Sequence, residues 1–395
     1  MLERACLGLL PRKHHTVLRD EQGRLCYEHC LTRQGFEGPY TILYQRSLPP
    51  RDAGRRPSAL PPDPPPAPGV EPLRRRHLRA GLLAQGGDFL QARHVLLQNS
   101  DVAIAVCRPD SAAPRYLLNG DGDELYFVHE GHLRLESLLG PLELAPGDYA
   151  LIPRGVLYRL VPAGPAMLFL VEARSYLEIP RSFRNAAGQL RMDAPYCHRD
   201  VRRPRELPQP GEPLPEGGYL IIVKRGGRYH EVVRNEDPFD VLGWDGAVYP
   251  LALSIHDYQA KVGRVHLPPT TFTTFAGGGL VVCSFVPRPL DYDPEAVPCP
   301  YPHSSVHCDE VIFYVSGTFT SRRGIGPGSI SHHPSGLPHG PQPGAYEASI
   351  GRRHTEELAV MVDTFQPLVP TVEAAAIEDL TYHDSWAAPA PGERA

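Results

Sequence analysis

Residues 301–340 read YPHSSVHCDEVIFYVSGTFTSRRGIGPGSISHHPSGLPHG, and both the fold and the chemistry of the chain are legible in them. His303 and Glu310 stand close together and are followed by Gly328-x5-Pro334-x-Gly336-x2-His339. The run Val311-Ile312-Phe313-Tyr314-Val315, rich in β-branched and aromatic residues, predicts a strand that Gly317 ends. Gly328 and Pro334-x-Gly336 supply turn chemistry that returns the chain alongside it. Residues seven apart on one continuous strand face opposite ways, so a turn must lie between His303 and Glu310 if both point inward. Two imidazoles and one carboxylate on a rigid β scaffold leave about three positions of an octahedral ferrous ion open. That facial arrangement takes an organic substrate and O2 at one metal, and the expectation is a metal centre on an all-β domain. The competing reading is a histidine-rich surface loop.

The spacing resembles the paired motifs of cupins, which are small jelly-roll barrels. The first motif, H-x-[H/N/S]-x(3–4)-E-x6-G, is met by His303, Ser305, Glu310 and Gly317; the second, G-x5-P-x-G-x2-H, by Gly328, Pro334, Gly336 and His339. A weaker copy lies upstream in Asn119, Asp121, Glu124 and Gly131, then Gly147, Pro153, Gly155 and Tyr158. Asn119, Asp121 and Tyr158 stand where imidazoles would, so this half predicts a structural barrel with little affinity for a transition metal. The repetition predicts an all-β bicupin, two jelly-roll β-barrels with few short helices. Residues 1–47 are expected as N-terminal strands and extension, and 48–76 as a proline-rich insertion, extended or disordered. Residues 77–215 are expected to form the metal-free N-terminal barrel, 216–384 the C-terminal barrel with the iron site, and 385–395 a loose tail.

Composition agrees. Short strands need many turns, and the 395 residues include 45 Pro and 37 Gly. Tyr219 to Val233 reads as a hairpin closed by Gly226-Gly227. A formal net charge of −5, with no basic stripe among aromatics, argues against a nucleic-acid partner. No run approaches the ~20 apolar residues of a membrane-spanning helix. The N-terminus is wrongly flanked for a signal peptide. Eight scattered cysteines fit reduced thiols, so a cytoplasmic location is expected.

Beyond the two motifs, the chain resembles the homogentisate 1,2-dioxygenase family over roughly residues 11–368. The resemblance lies in Pro11-Arg-Lys-His-His-Thr16, Gly35-Phe-Glu-Gly-Pro-Tyr40, Pro146-Gly-Asp-Tyr-Ala-Leu-Ile-Pro-Arg-Gly155, Asp237-Pro-Phe-Asp-Val-Leu-Gly-Trp-Asp245, Gly263-Arg-Val-His266-Leu-Pro-Pro269 and Pro338-His-Gly-Pro341. It implies O2-dependent opening of an aromatic acid's ring with Fe(II), in tyrosine and phenylalanine catabolism. It also implies a homo-oligomer, trimeric or hexameric. The family's iron ligands fall on His303, Glu310 and His339. His307, three residues before Glu310, is the rival for the first, although Tyr-Pro-His keeps the family's flanking pattern at His303. The acid–base histidine falls on His266, and an imidazole that titrates near working pH suits that role. His333, Phe319, Tyr314 and Arg322 are candidate substrate contacts, with Arg323 beside the last; His332, of opposite parity to His333, is expected to point outward.

Two positions depart from the family pattern. Phe319 stands where a tyrosine is usual, and Leu251-Ala252 follow Pro250 where an aromatic and a lysine are usual. They keep two alternatives open: another dihydroxyaromatic acid such as gentisate as substrate, or a non-oxidative metal-binding bicupin.

Overall fold

A computed structural model describes residues 4–67, 73–209, 213–305, 307–319, 322 and 324–387. Arg323, part of the proline-rich stretch (68–72) and the end of the tail (388–395) lie outside the described residues. The architecture is all-β, and the described residues contain two short α-helices, Ala345–Ser349 and Val372–Ile377. No helix among them is long and apolar enough to cross a membrane. The chain falls into two compact units: residues 1–64, 84–94 and 104–257, and residues 65–83, 95–103 and 258–395. Each carries one of the two motif sets, and the fold is that of a bicupin.

In the first unit the strand Asp123–Glu130 lies between Asp148–Ile152 and Met167–Ala173. Its first six residues are buried, the mark of a strand covered on both faces. The predicted hairpin forms from Tyr219–Arg225 and Arg228–Arg234. Gly226 and Gly227, at φ +62° and +67°, supply the left-handed pair that a two-residue turn of the strands' own twist requires. This hairpin pairs in parallel with Arg115–Asn119, and Leu251–Ser254 pairs with Asp148–Ile152. The segment 216–257, read on sequence with the C-terminal barrel, therefore groups with the first unit. The proline-rich stretch is also less loose than expected. Gly54–Pro57 adds a strand to the hairpin's outer edge, and Asp63 lies 2.8 Å from Lys224 Nζ.

The second unit is built on one six-stranded antiparallel sheet. Its order is Thr273–Ala276, Leu280–Phe285, Leu358–Thr364, Asp309–Ser316, Ser329–His333 and Arg76–Arg79. The register sets Glu310 opposite His333 on one side and opposite Asp363 on the other. Gly317 ends the Glu310 strand at φ +93°, where a Cβ would meet the Glu356 carbonyl oxygen at 1.9 Å. Ser385 and Trp386, read on sequence as the start of a loose tail, are held against this unit. Gln342 Nε2 donates to Ser385 Oγ at 2.6 Å, and the Trp386 ring packs edge-on against His333.

Candidate metal centre

Two adjacent strands and two loops bring the ligand types together. Glu310 and His333 come from adjacent strands. His303 and His339 sit on loops that meet in a reciprocal backbone bridge, each N–H donating to the other's carbonyl at 2.8 Å. Gly340 makes that approach possible: at φ +152° its α-carbon faces Pro302, and a Cβ would lie 2.7 Å from the Pro302 Cα. The candidate ligand atoms of His303, Glu310 and His339 all fall within 4.8 Å of one another. Glu310 Oε2 is 3.7 Å from both His303 Nε2 and His339 Nε2. Atoms that far apart can both reach one ion ~2.1 Å from each. His307 is exposed and outside this cluster.

The hydrogen bonds around the imidazoles fix which nitrogen faces the centre. His303 Nδ1–H donates to the Tyr301 carbonyl at 3.2 Å and His339 Nδ1–H to the Leu337 carbonyl at 3.0 Å. Both Nε2 lone pairs are thereby presented inward, the arrangement expected of metal-binding histidines. His339 Nε2 is buried without a hydrogen-bond partner. A buried orphan acceptor costs about 1–3 kcal/mol, so the site suits a cation that the donors alone do not supply.

His333 stands behind the carboxylate. Its Nδ1–H donates to Glu310 Oε1 at 2.7 Å, and the Tyr382 hydroxyl lies 3.4 Å from Nε2. Burial pushes the His333 imidazole down to about 3, so it is neutral. Burial would push Glu310 up, but the imidazoles of His303, His333 and His339 hold it well below the usual carboxylate range. One oxygen of Glu310 is thus pinned by His333 while the other faces the two free nitrogens. His332 points to the opposite face of the strand, as its parity requires, but not to solvent. It is buried, with Nε2–H donating to Asp309 Oδ2 at 2.8 Å.

A cavity of about 390 Å³ opens beside the cluster and is lined by His303, Glu310, His266, Arg322, Asp363 and Glu357, among others. His266 lies edge-on to Tyr301, with Nδ1 3.9 Å from Asp291 Oδ2. Arg322 donates to the Gly340 carbonyl and packs over Trp386. Three expected substrate contacts are not in the lining: His333, fully buried behind the Glu310 carboxylate, and Tyr314 and Phe319. Tyr314 is buried with its hydroxyl 3.0 Å from Ser331 Oγ, and Phe319 packs edge-on against the Tyr314 ring. Sequence reading missed Asp363, Glu357 and Arg288, which do line the cavity. Asp363 and Glu357 carried a signal: polar residues at the same parity as Met361 on a strand-like run. Arg288 carried none. Burial, then the neighbouring Glu310, pushes the Asp363 carboxyl up to about 7.

The corresponding place in the first unit is filled by protein. Arg93 Nη2 donates to Glu124 Oε1 at 2.7 Å, and the Tyr158 hydroxyl donates to Glu124 Oε2 at 2.6 Å. Asn119 Nδ2 donates to Glu172 Oε2, which also accepts from Lys224 Nζ at 2.9 Å. Asp121 accepts from the Gly226 and Gly227 amides of the hairpin turn. A guanidinium and an ammonium therefore supply the positive charge in this half.

The fold and site define a cupin with, among the described residues, one cluster of metal-ligand side chains beside a cavity. Residues 89–255 match the family model described as homogentisate 1,2-dioxygenase N-terminal. A protein of Saccharolobus solfataricus named as an inferred dioxygenase is 38% identical over 394 residues, covering 96% of this chain and 97% of that one. Homogentisate 1,2-dioxygenase of Bradyrhizobium diazoefficiens is 28% identical over 302 residues; the match covers 70% of this chain and 63% of that enzyme's length. Among solved structures, a cupin 2 conserved barrel domain protein from Leptotrichia buccalis is 11% identical, with a TM-score of 0.33, over 75% of this chain and 99% of that one. The chain belongs to the homogentisate 1,2-dioxygenase family and is an oxidoreductase of the dioxygenase class.

Proposed function

We propose that the chain is an Fe(II)-dependent dioxygenase that opens the ring of homogentisate, with O2, to 4-maleylacetoacetate. The carrying observation is the convergence of two imidazole nitrogens and one carboxylate oxygen beside a cavity that also holds guanidinium groups. His303, Glu310 and His339 would hold the iron, which supplies the one-electron chemistry that lets O2 react with an electron-rich ring. His333 fixes the Glu310 carboxylate, so that one oxygen stays aimed at the two Nε2 atoms. His266, at the cavity beside Tyr301, takes the phenolic proton and returns it when the ring opens. Arg322 and Arg288 hold the substrate's carboxylate, a task suited to a planar, always charged donor. In this reading the reaction is a step of tyrosine and phenylalanine catabolism in the cytoplasm, carried out by a homo-oligomer.

A second reading has its own observation. Phe319 offers no hydroxyl and is packed on Tyr314, outside the cavity lining, which favours another dihydroxyaromatic acid such as gentisate. Anaerobic reconstitution with Fe(II), then addition of each acid and of O2, separates the two. Stoichiometric O2 uptake with homogentisate and a yellow ring-opened product is the expected result. Uptake with gentisate alone replaces the first reading by the second, and no uptake with either acid removes both.

A further inference from the structure

Glu357 is an acid where a pocket for an anionic substrate needs none. It lines the cavity together with Arg288 and Arg322. Glu357, Met361 and Asp363 all line the cavity, along the strand Leu358–Thr364 and the residue before it. Alternate residues of a strand share a face. The cavity therefore runs from a metal end at Asp363 and Glu310 to a charged end at Glu357. Burial pushes the Glu357 carboxyl up, and Arg288 and Arg322 pull it back only in part.

Both guanidinium groups are anchored independently of it. Arg288 Nη1 donates to the Val286 carbonyl at 3.1 Å and the group stacks over Phe272; Arg322 is held at Gly340 and Trp386. Among the described residues, no side chain hydrogen-bonds the Glu357 carboxylate. A ligand carboxylate held by the two guanidiniums would sit beside this second carboxylate. Like charges at such range repel unless a donor lies between them.

We propose that Glu357 is a specificity-determining residue that accepts a hydrogen bond from a hydroxyl or amine on the side chain of an aromatic acid, next to the carboxylate held by Arg288 and Arg322. The inference rests on the ring-opening reading given above and shifts its preferred substrate from homogentisate, whose side chain has no such donor, to a related acid that carries one.

The test compares homogentisate with 2,5-dihydroxymandelate, which adds one hydroxyl to the side-chain carbon. Dissociation constants are measured anaerobically by calorimetry on the Fe(II)-loaded chain, and turnover is followed separately by O2 uptake. The wild type should bind the hydroxylated acid about tenfold more tightly, the effect of one charge-assisted hydrogen bond. Glu357→Leu should abolish that preference and tighten homogentisate, because the guanidiniums lose their competitor. Iron content per chain reports whether the variant's site is intact; if leucine disturbs it, Glu357→Gln removes the charge at constant shape. Equal binding of both acids, unchanged by either variant while homogentisate is still oxidised, overturns the role of Glu357 and leaves the proposed reaction standing. Failure to bind or oxidise either acid overturns the proposed reaction and this inference with it.

Discussion

Asp363 shows how much a single buried carboxyl reports on the centre. Its pKa is pushed up to about 7, so the folded chain holds this proton more tightly than the unfolded one. Its contribution is favourable near pH 4 and is lost as pH rises toward 7, where the charge must form beside Glu310. In the metal-free chain, Asp363→Asn should therefore raise stability at pH 8 by about 4 kcal/mol and change it little at pH 4. Urea unfolding at the two pH values measures this, and an equal effect at both contradicts it. At this scale the sequence was partly legible. The residues that converge, His303, Glu310 and His339, are the ones the spacing singled out, because motif spacing encodes which strand ends and turns meet. Tyr314 and Phe319 were misplaced because parity gives a face of the strand but not how far along the barrel the cavity extends.

At the scale of elements, the register between Asp309–Ser316 and Ser329–His333 decides whether the centre exists. A slip of one residue would turn Glu310 away from it. Asp309 clamps the register from the opposite face. It accepts from His332 Nε2 at 2.8 Å, from the Ser335 amide at 2.8 Å and from the Leu368 amide at 2.9 Å. The Ser335 bond fixes the turn that leads to His339. Asp309→Ala should cost about 3 kcal/mol of stability and loosen that turn, lowering metal affinity at least about tenfold. Denaturant titration and chelator competition check the two effects, and a stability loss with unchanged metal affinity would separate clamp from centre. The strands and the Gly226-Gly227 hairpin were readable as local patterns. The addition of Arg76–Arg79 to the His333 strand was not, because pairing across some 250 residues leaves no local signal.

Over the whole molecule, the two barrels solve one electrostatic problem in two ways. The first unit neutralises its buried carboxylates with Arg93 and Lys224. Burial would push Glu172 up, yet those two cations keep it below the usual range. The second unit leaves its pair of imidazole nitrogens open. Metal analysis after Fe(II) loading should therefore saturate at one ion per chain, and a second tightly held ion would contradict this division. Arg93→Met should destabilise the chain by about 3–5 kcal/mol, the usual cost of stripping one partner from a buried pair. It should leave the metal stoichiometry unchanged. The imidazole-free motif was legible as metal-poor, but the residues that replace the ion were not, since Arg93 and Lys224 lie far from it in sequence.

The account depends most on His303, Glu310 and His339 sharing one ion. Anomalous diffraction at the iron edge, from crystals soaked anaerobically in Fe(II), tests this without reference to any substrate. One strong peak per chain, about 2.0–2.3 Å from His303 Nε2, His339 Nε2 and a Glu310 oxygen, is predicted. A peak at His307 or in the first barrel, or none at saturating iron, would contradict it.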